Sequence, residues 1–442
     1  MWCIFLLLAL FCSCTNGLSK QIENEDSIDE DSSGNLDEDQ IIGDSGDMSM
    51  VPCSDFMIVS EGNYLSLGGF LTDQIEECTE RWYPSAGAGG STLAFTISTL
   101  EMNDSNVEIR IENLKGDSIH EWSNLSENET LTIDLEVSGE FLIGVRNMGS
   151  EKPAEYEMGI SCIQGCDLEY TRYPIVFMHG LAGFDTLLNV FDYWLGVEDL
   201  LSSAGYFVEI QGVSAFDPTY VRADQWKEHL DELYTEIGVR KVNIIAHSQG
   251  GLDARYYTSL LDDADRVASI TTIATPHNGT AIADLFTGVV GLSPADGQIV
   301  DALVSGAAEL FGSSGDSLTE QLEQMTTESM EAFNMEVVDK PSVQYFSWAG
   351  KSCRYLQWGC QSDMDGETVS SYFLLSHAYL EGQEGDNDGL VSVMSSEWGT
   401  FLGVLPADHM DEVGHRFDLS TQPFDAAEFY LSEARRLSDN GL

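Results

Sequence analysis

Ser248, Asp388 and His409 are the residues of this 442-residue chain whose types and order could together carry nucleophilic catalysis. Ser248 follows the apolar, β-branched run Val242-Asn243-Ile244-Ile245-Ala246-His247 and precedes Gln249-Gly250-Gly251-Leu252-Asp253-Ala254-Arg255-Tyr256. That pattern predicts a buried strand, a sharp turn and a helix, with the serine hydroxyl at the apex. Small residues around the turn fit, because the backbone at such a serine is strained and closely packed. Ala246 stands where the pattern usually has glycine, a difference of one methyl. A free serine hydroxyl is a poor nucleophile and needs a base, an acid that orients the base, and donors for the developing oxyanion. In sites of this kind the chain order is serine, acid, histidine. Asp388 in Gly385-Asp386-Asn387-Asp388-Gly389-Leu390-Val391 is the expected acid, with Asp386 its competitor. The bland alternative for both is a solvated acidic turn. Of eight histidines only His409 and His415 lie beyond Asp388, and His409 in Ala407-Asp408-His409-Met410-Asp411-Glu412 is assigned as the base.

The oxyanion donors should be backbone N–H groups. One is that of Gln249, the residue after the nucleophile. The other is expected on the loop after an early strand. Tyr173-Pro174-Ile175-Val176-Phe177-Met178 reads as that strand, and Leu181 in His179-Gly180-Leu181-Ala182-Gly183 as the donor. His179 precedes the serine and sits at a strand end, so it is expected to pack and shape the loop.

Five blocks resemble the Pseudomonas/Burkholderia-type bacterial triacylglycerol lipases, in the same order, between about residue 170 and the end. They are the segments beginning at Tyr173, at Ala246, at Ile273 (Ile-Ala-Thr-Pro-His-Asn-Gly-Thr), at Asn387 and at His409. The resemblance implies an α/β-hydrolase fold with a helical lid and hydrolysis of lipid esters at an oil–water interface. It also implies a structural Ca²⁺ beside the histidine loop. Carried over by position, the ligands are Asp411, the carbonyls of His415 and Leu419, and either Asp363 or Asp365. Oxygen donors of that kind suit a hard cation. The family's disulfide in this region has no counterpart, because no cysteine follows Cys360; Cys353 and Cys360 are expected to pair with each other. The lid is expected at about 281–340, where two apolar stretches, 281–292 and 299–311, have helical spacing, and 318–337 reads as a further helix. A folding chaperone is a candidate partner.

The rest of the chain is organised around this unit. Residues 1–14 read as an export signal. The apolar core Ile4–Phe11 is too short to span a bilayer, and Cys14 stands where bacterial lipoproteins carry lipid. The stretch 15–52 is an acidic disordered linker; residues 19–50 alone hold 11 acids and one lysine. Short alternating runs at 93–97, 107–111, 131–135 and 141–145 predict a small all-β, sandwich-like domain over 53–165. The hydrolase domain should then occupy 166–442. Cys53, Cys78, Cys162 and Cys166 are expected to staple the β domain, with the pairing open, as suits an oxidising compartment. The chain is expected at the outer membrane or cell surface as a lipoprotein, or free as a secreted protein. With 19 basic against 75 acidic residues, a formal charge of −56 excludes nucleic acid as a partner and repels anionic lipid. Two other functions compete: an esterase or polyester depolymerase using the same triad on non-lipid esters, and a surface adhesin with a relic hydrolase domain.

Overall fold

Six parallel strands position the three residues. The computed structural model describes residues 53, 56–100, 107–124, 130–149, 153–181, 193–262, 265–288, 321–354, 368–416 and 424–442. All of them belong to one unit, Met50–Leu442. Strands β10 (Ile175–Met178), β11 (Val208–Ile210), β12 (Val242–His247), β13 (Val267–Ile273), β14 (Gln344–Lys351) and β15 (Thr400–Pro406) form a sheet in the order β11-β10-β12-β13-β14-β15. Every residue of β10, β12 and β13 is buried. That is why these strands read as continuous apolar runs rather than as an alternation.

Helices cover both faces of the sheet. Ile245 of β12 packs with Trp194, with Val197 and Leu201 of α1 (Val197–Ala204), and with Tyr430 and Leu437 of α8 (Ala426–Asp439). Its neighbour Ile244 packs on the other face, with Trp226 and Leu230 of α2 (Thr219–Ile237) and Ala254 of α3 (Gln249–Tyr256). Successive strand residues point to opposite faces, so one apolar run serves two cores. Among the described residues, four further helices lie between β13 and β15: α4 (Ala281–Phe286), α5 (Thr327–Glu336), α6 (Leu374–Gln383) and α7 (Val393–Ser396). No helix among the described residues is long and apolar enough to cross a membrane.

Among the described residues, the region before this sheet is all β. β3 (Thr79–Gly87), β8 (Gly139–Asn147), β5 (Val107–Glu112) and β6 (Ser118–Asn124) form an antiparallel sheet, joined at one edge by the short parallel strand β1 (Met57–Ile58). β2 (Phe70–Ile75), β9 (Ala154–Gln164), β4 (Thr92–Thr99) and β7 (Thr130–Asp134) form a second antiparallel sheet. Leu93, Phe95 and Ile97 from one sheet share a core with Ile109, Ile111, Ile143 and Val145 from the other. The four runs expected from alternation are β4, β5, β7 and β8. The cysteine pairing is Cys53–Cys78 and Cys162–Cys166. Cys353 is also disulfide-bonded; Cys360 lies outside the described residues.

Within the expected lid, Ile282, Ala283 and Leu285 of α4 are buried, and Met330 is the buried residue of α5. Residues 289–320, including the second apolar stretch, lie outside the described residues. The single helix expected over 318–337 is two pieces where described. Thr326 breaks it, because its hydroxyl oxygen accepts from the N–H of Ser329 and caps a new helix, α5.

Candidate active site

Ser248 sits between β12 and α3 with φ 54° and ψ −129°. A side chain other than glycine is strained there. The surroundings fix the conformation: Ser248 N–H donates to the Ile273 carbonyl (2.9 Å), and Thr275 Oγ1 donates to the Ser248 carbonyl (2.8 Å). Gly250 has no room for a side chain, since a Cβ there would collide with the carbonyl oxygens of Met178 and His179. Ala246, the departure from glycine, is fully buried between Met178 of β10 and Thr272 of β13, and its methyl is accommodated.

The folding of the chain brings the three distant residues together. His409 Nε2 lies 3.0 Å from Ser248 Oγ, and His409 Nδ1 lies 2.8 Å from Asp388 Oδ2. Asp388 is fully buried. Its other oxygen, Oδ1, accepts from the N–H groups of Leu390 (2.8 Å) and Val391 (2.7 Å), which orients the carboxylate toward the imidazole. The competitor Asp386 does not face His409. It is exposed and pairs with Lys351 at 2.8 Å. The arrangement can take a proton from a serine hydroxyl and hold the resulting imidazolium beside a carboxylate, the chemistry of acyl transfer.

Behind His409 is a buried polar chain that the sequence did not announce. Gly180 N–H donates to Tyr193 Oη (3.0 Å), Tyr193 Oη lies 2.7 Å from His247 Nδ1, and His247 Nε2 lies 2.9 Å from Glu412 Oε2. Burial holds the His247 imidazole well below its usual range, with help from the neighbouring His409. Burial, and then the charges of Asp388, Asp408 and Asp411, pushes the Glu412 carboxyl well above its own. Glu412 Oε2 lies 3.9 Å from His409 Nδ1, within reach of a modest shift of the imidazole. His247, His409 and Glu412 are the one cluster of three His, Cys, Asp or Glu groups close enough to hold a metal among the described residues. Two of its three donors are imidazole nitrogens, which do not suit a hard cation. Glu412 was legible as part of the His409 block, but no spacing rule joins it to His247.

Of the expected oxyanion donors, Gln249 is the first residue of α3, so its N–H has no carbonyl partner within the helix. Leu181 follows His179 and Gly180 on the loop after β10. His179 shapes that loop, as expected: its Nε2 accepts from Val213 N–H (3.0 Å) and its Nδ1–H donates to the Gly180 carbonyl (2.9 Å). Burial, reinforced by Arg222, lowers its pKa to about 3. Arg222 of α2, unassigned from sequence, donates to the His179 carbonyl (2.5 Å), the Ser214 carbonyl (2.7 Å) and Asp253 Oδ2 (2.7 Å). It thereby ties the loop to α3. Of the expected calcium ligands, Asp411 and His415 are buried residues in and after the turn that follows His409. Asp363, Asp365 and Leu419 lie outside the described residues, as does Cys14.

Comparison with known proteins agrees with this geometry. Residues 173–300 match the model of the alpha/beta hydrolase fold family. A triacylglycerol lipase of Vibrio cholerae is 32% identical over 283 residues, covering 62% of this chain and 89% of that protein. One from Burkholderia plantarii is 30% identical, covering 55% and 79%. One from Pseudomonas fragi is 27% identical over 298 residues, covering 62% and 98%. With a parallel sheet that presents Ser248, His409 and Asp388 in hydrogen-bonded order, and with relatives of this identity matched over most of their length, the chain belongs to the bacterial triacylglycerol lipases of α/β-hydrolase fold.

Proposed function

We propose that Ser248 is the nucleophile, His409 the general base and then acid, and Asp388 the orienting carboxylate of this ester hydrolase. The observation that carries the reading is the continuous pair of hydrogen bonds, 3.0 Å from Ser248 to His409 and 2.8 Å from His409 to Asp388. Ser248 Oγ attacks the ester carbonyl carbon as its proton passes to His409 Nε2. The oxyanion accepts from the N–H groups of Leu181 and Gln249. His409 returns the proton to the alcohol oxygen as the C–O bond breaks, leaving an acyl-enzyme. Water then attacks the acyl carbon by the same route, with His409 again as base, and the carboxylic acid leaves. Triacylglycerol is the substrate the relatives' names support. Ser248→Ala and His409→Ala should each lower kcat by about 10⁴-fold or more in a folded protein, because they act as one unit. An organophosphonate should label wild-type Ser248 and nothing else. Near-normal turnover in either folded variant, or labelling elsewhere, refutes the assignment.

The same reading includes a structural Ca²⁺. Asp411 is a buried carboxylate in the turn that follows His409, and a buried carboxylate needs a cation or donors around it. Asp411, the carbonyls of His415 and Leu419, and Asp363 or Asp365 would hold the ion. When bound, it would brace the loop that carries His409. Chelation should lower the melting temperature of the wild type and leave Asp411→Ala unchanged. Equal melting with and without chelator in the wild type would leave Asp411 as a hydrogen-bonded acid only. For its location, the protein is exported, as the disulfides fit, and is anchored through lipid on Cys14.

A further inference from the structure

The two oxyanion donors proposed above come from separate loops, and one short segment touches the side chains of both. Gln249 is fully buried, and its Nε2 donates to the Asp217 carbonyl (3.2 Å) and to Gln321 Oε1 (3.0 Å). Gln321 is also fully buried, in the helical turn 321–324. The same Oε1 accepts from Gln324 Nε2 (3.4 Å), and Gln324 Oε1 accepts from the N–H of Thr219 at the start of α2. Leu322 and Met325 of this segment share an apolar cluster with Leu181 and with Leu252 of α3.

We propose that Gln321 is a positioning residue for the oxyanion hole: its side-chain amide fixes Gln249, while its neighbours Leu322 and Met325 hold Leu181, so one segment sets the distance between the two donors. This inference rests on the reading of Leu181 and Gln249 as oxyanion donors. The physical argument is that oxyanion stabilisation depends on donors fixed before the charge appears. Losing one donor costs about 10²–10³ in rate, and a displacement of about 1 Å costs a large part of that. A residue that can rotate at the start of a helix needs its side chain held, and a buried amide–amide contact holds it without placing a charge beside the base. The contact is half made. Among the described residues, Gln249 Oε1 and Gln321 Nε2 are both buried with no hydrogen-bond partner, so the complementary bond of the amide pair is open. Buried polar atoms left in this way are costly, so the contact lowers stability relative to an apolar pair of the same shape.

The test uses the full-length protein and a water-soluble short-chain ester, so that binding to a lipid surface does not enter. Gln321→Leu should lower kcat about 10-fold with KM within about twofold. It should weaken binding of a boronic acid that forms a tetrahedral adduct on Ser248 by the same factor. Gln249→Met should reproduce the loss, and the Gln249→Met/Gln321→Leu double variant should lose little more than either alone. A Gln321→Leu protein with wild-type kcat and boronate affinity overturns the proposal. So does additive loss in the double variant, which would make each glutamine important for a separate, structural reason. If Gln321→Leu does not fold, Gln249→Met decides: wild-type kcat there overturns the coupling. Failure of the underlying reading is told apart by a crystal structure of the wild-type boronate adduct, in which the boronate oxygen would then lie out of hydrogen-bond reach of the Leu181 and Gln249 N–H groups.

Discussion

At the scale of single residues, the carboxylates around His409 differ in rank because they differ in surroundings. Asp388 is buried, accepts two backbone N–H groups at one oxygen and faces the imidazole with the other. Asp386 is exposed and paired with a lysine. Glu412 is buried, pushed toward its neutral form, and 3.9 Å from the same imidazole nitrogen. Asp388→Asn should therefore cost several orders of magnitude in kcat, less than Ser248→Ala, while Asp386→Asn should leave kcat within about twofold. Glu412 gives His409 a second carboxyl to turn toward, so the double variant Asp388→Asn/Glu412→Gln should fall below Asp388→Asn alone. Steady-state kinetics on a soluble ester check the order. A larger loss in Asp386→Asn than in Asp388→Asn would move the orienting role to Asp386.

At the scale of elements, the site is held by contacts between segments far apart in sequence. Arg222 on α2 is the clearest, because it is fully buried and links the His179 loop to Asp253 of α3. Burial raises the Asp253 carboxyl to about 6 even though the guanidinium opposes the rise. Arg222→Met should lower stability by about 3–5 kcal/mol, since it strands a buried acid. The sign for pH follows from the raised pKa. An acid with a folded value near 6 and an unfolded value near 4 binds more protons when folded, so its contribution falls as pH rises through that window. Losing Arg222 raises the Asp253 value further. The variant should therefore lose more stability than the wild type between pH 5 and pH 7.5, measured by urea unfolding. Parallel pH profiles would show that Asp253 does not depend on Arg222.

At the scale of the molecule, the β region docks at the end of the parallel sheet opposite the site. Glu140 of β8 is almost wholly buried between Arg172, just before β10, and Arg240, just before β12, at 2.6 and 2.7 Å. Glu61 also pairs with Arg240, and the Leu114–Lys115 turn leaves no room for a side chain at Gly238, after α2. These contacts lie at the N-terminal ends of the strands, whereas Ser248 follows the C-terminal end of β12. The catalytic face therefore points away from the β region. Lipid on Cys14 is the anchor proposed above. Cys14→Ser should move active enzyme from the membrane fraction to the soluble fraction, because a chain of −56 is repelled by anionic lipid and needs the acyl groups. Wild-type enzyme found soluble, with an unacylated N-terminus, would replace the anchor with simple secretion.

Much of the site was legible in the sequence because its parts are local. A β-branched run ending in serine and small residues declares a strand, a strained turn and a helix. Asp388 and His409 follow in the order the fold imposes. The alternating runs that became β4, β5, β7 and β8 were likewise readable from period alone. What local pattern does not encode is which side chains meet across the interior. The chain Tyr193–His247–Glu412, the Arg222–Asp253 brace, the Gln249–Gln321 contact and the seating of Glu140 between two arginines each join segments 31 to 165 residues apart. So does the choice of Asp388 over Asp386, two similar acids in one loop. The sequence set their spacing, but only the folded loop decides which carboxylate is buried against the imidazole and which stays in water. Residue type and order thus determine the chemistry the chain can perform; the close packing of distant segments decides which groups perform it, because burial and hydrogen bonding are properties of the assembled interior.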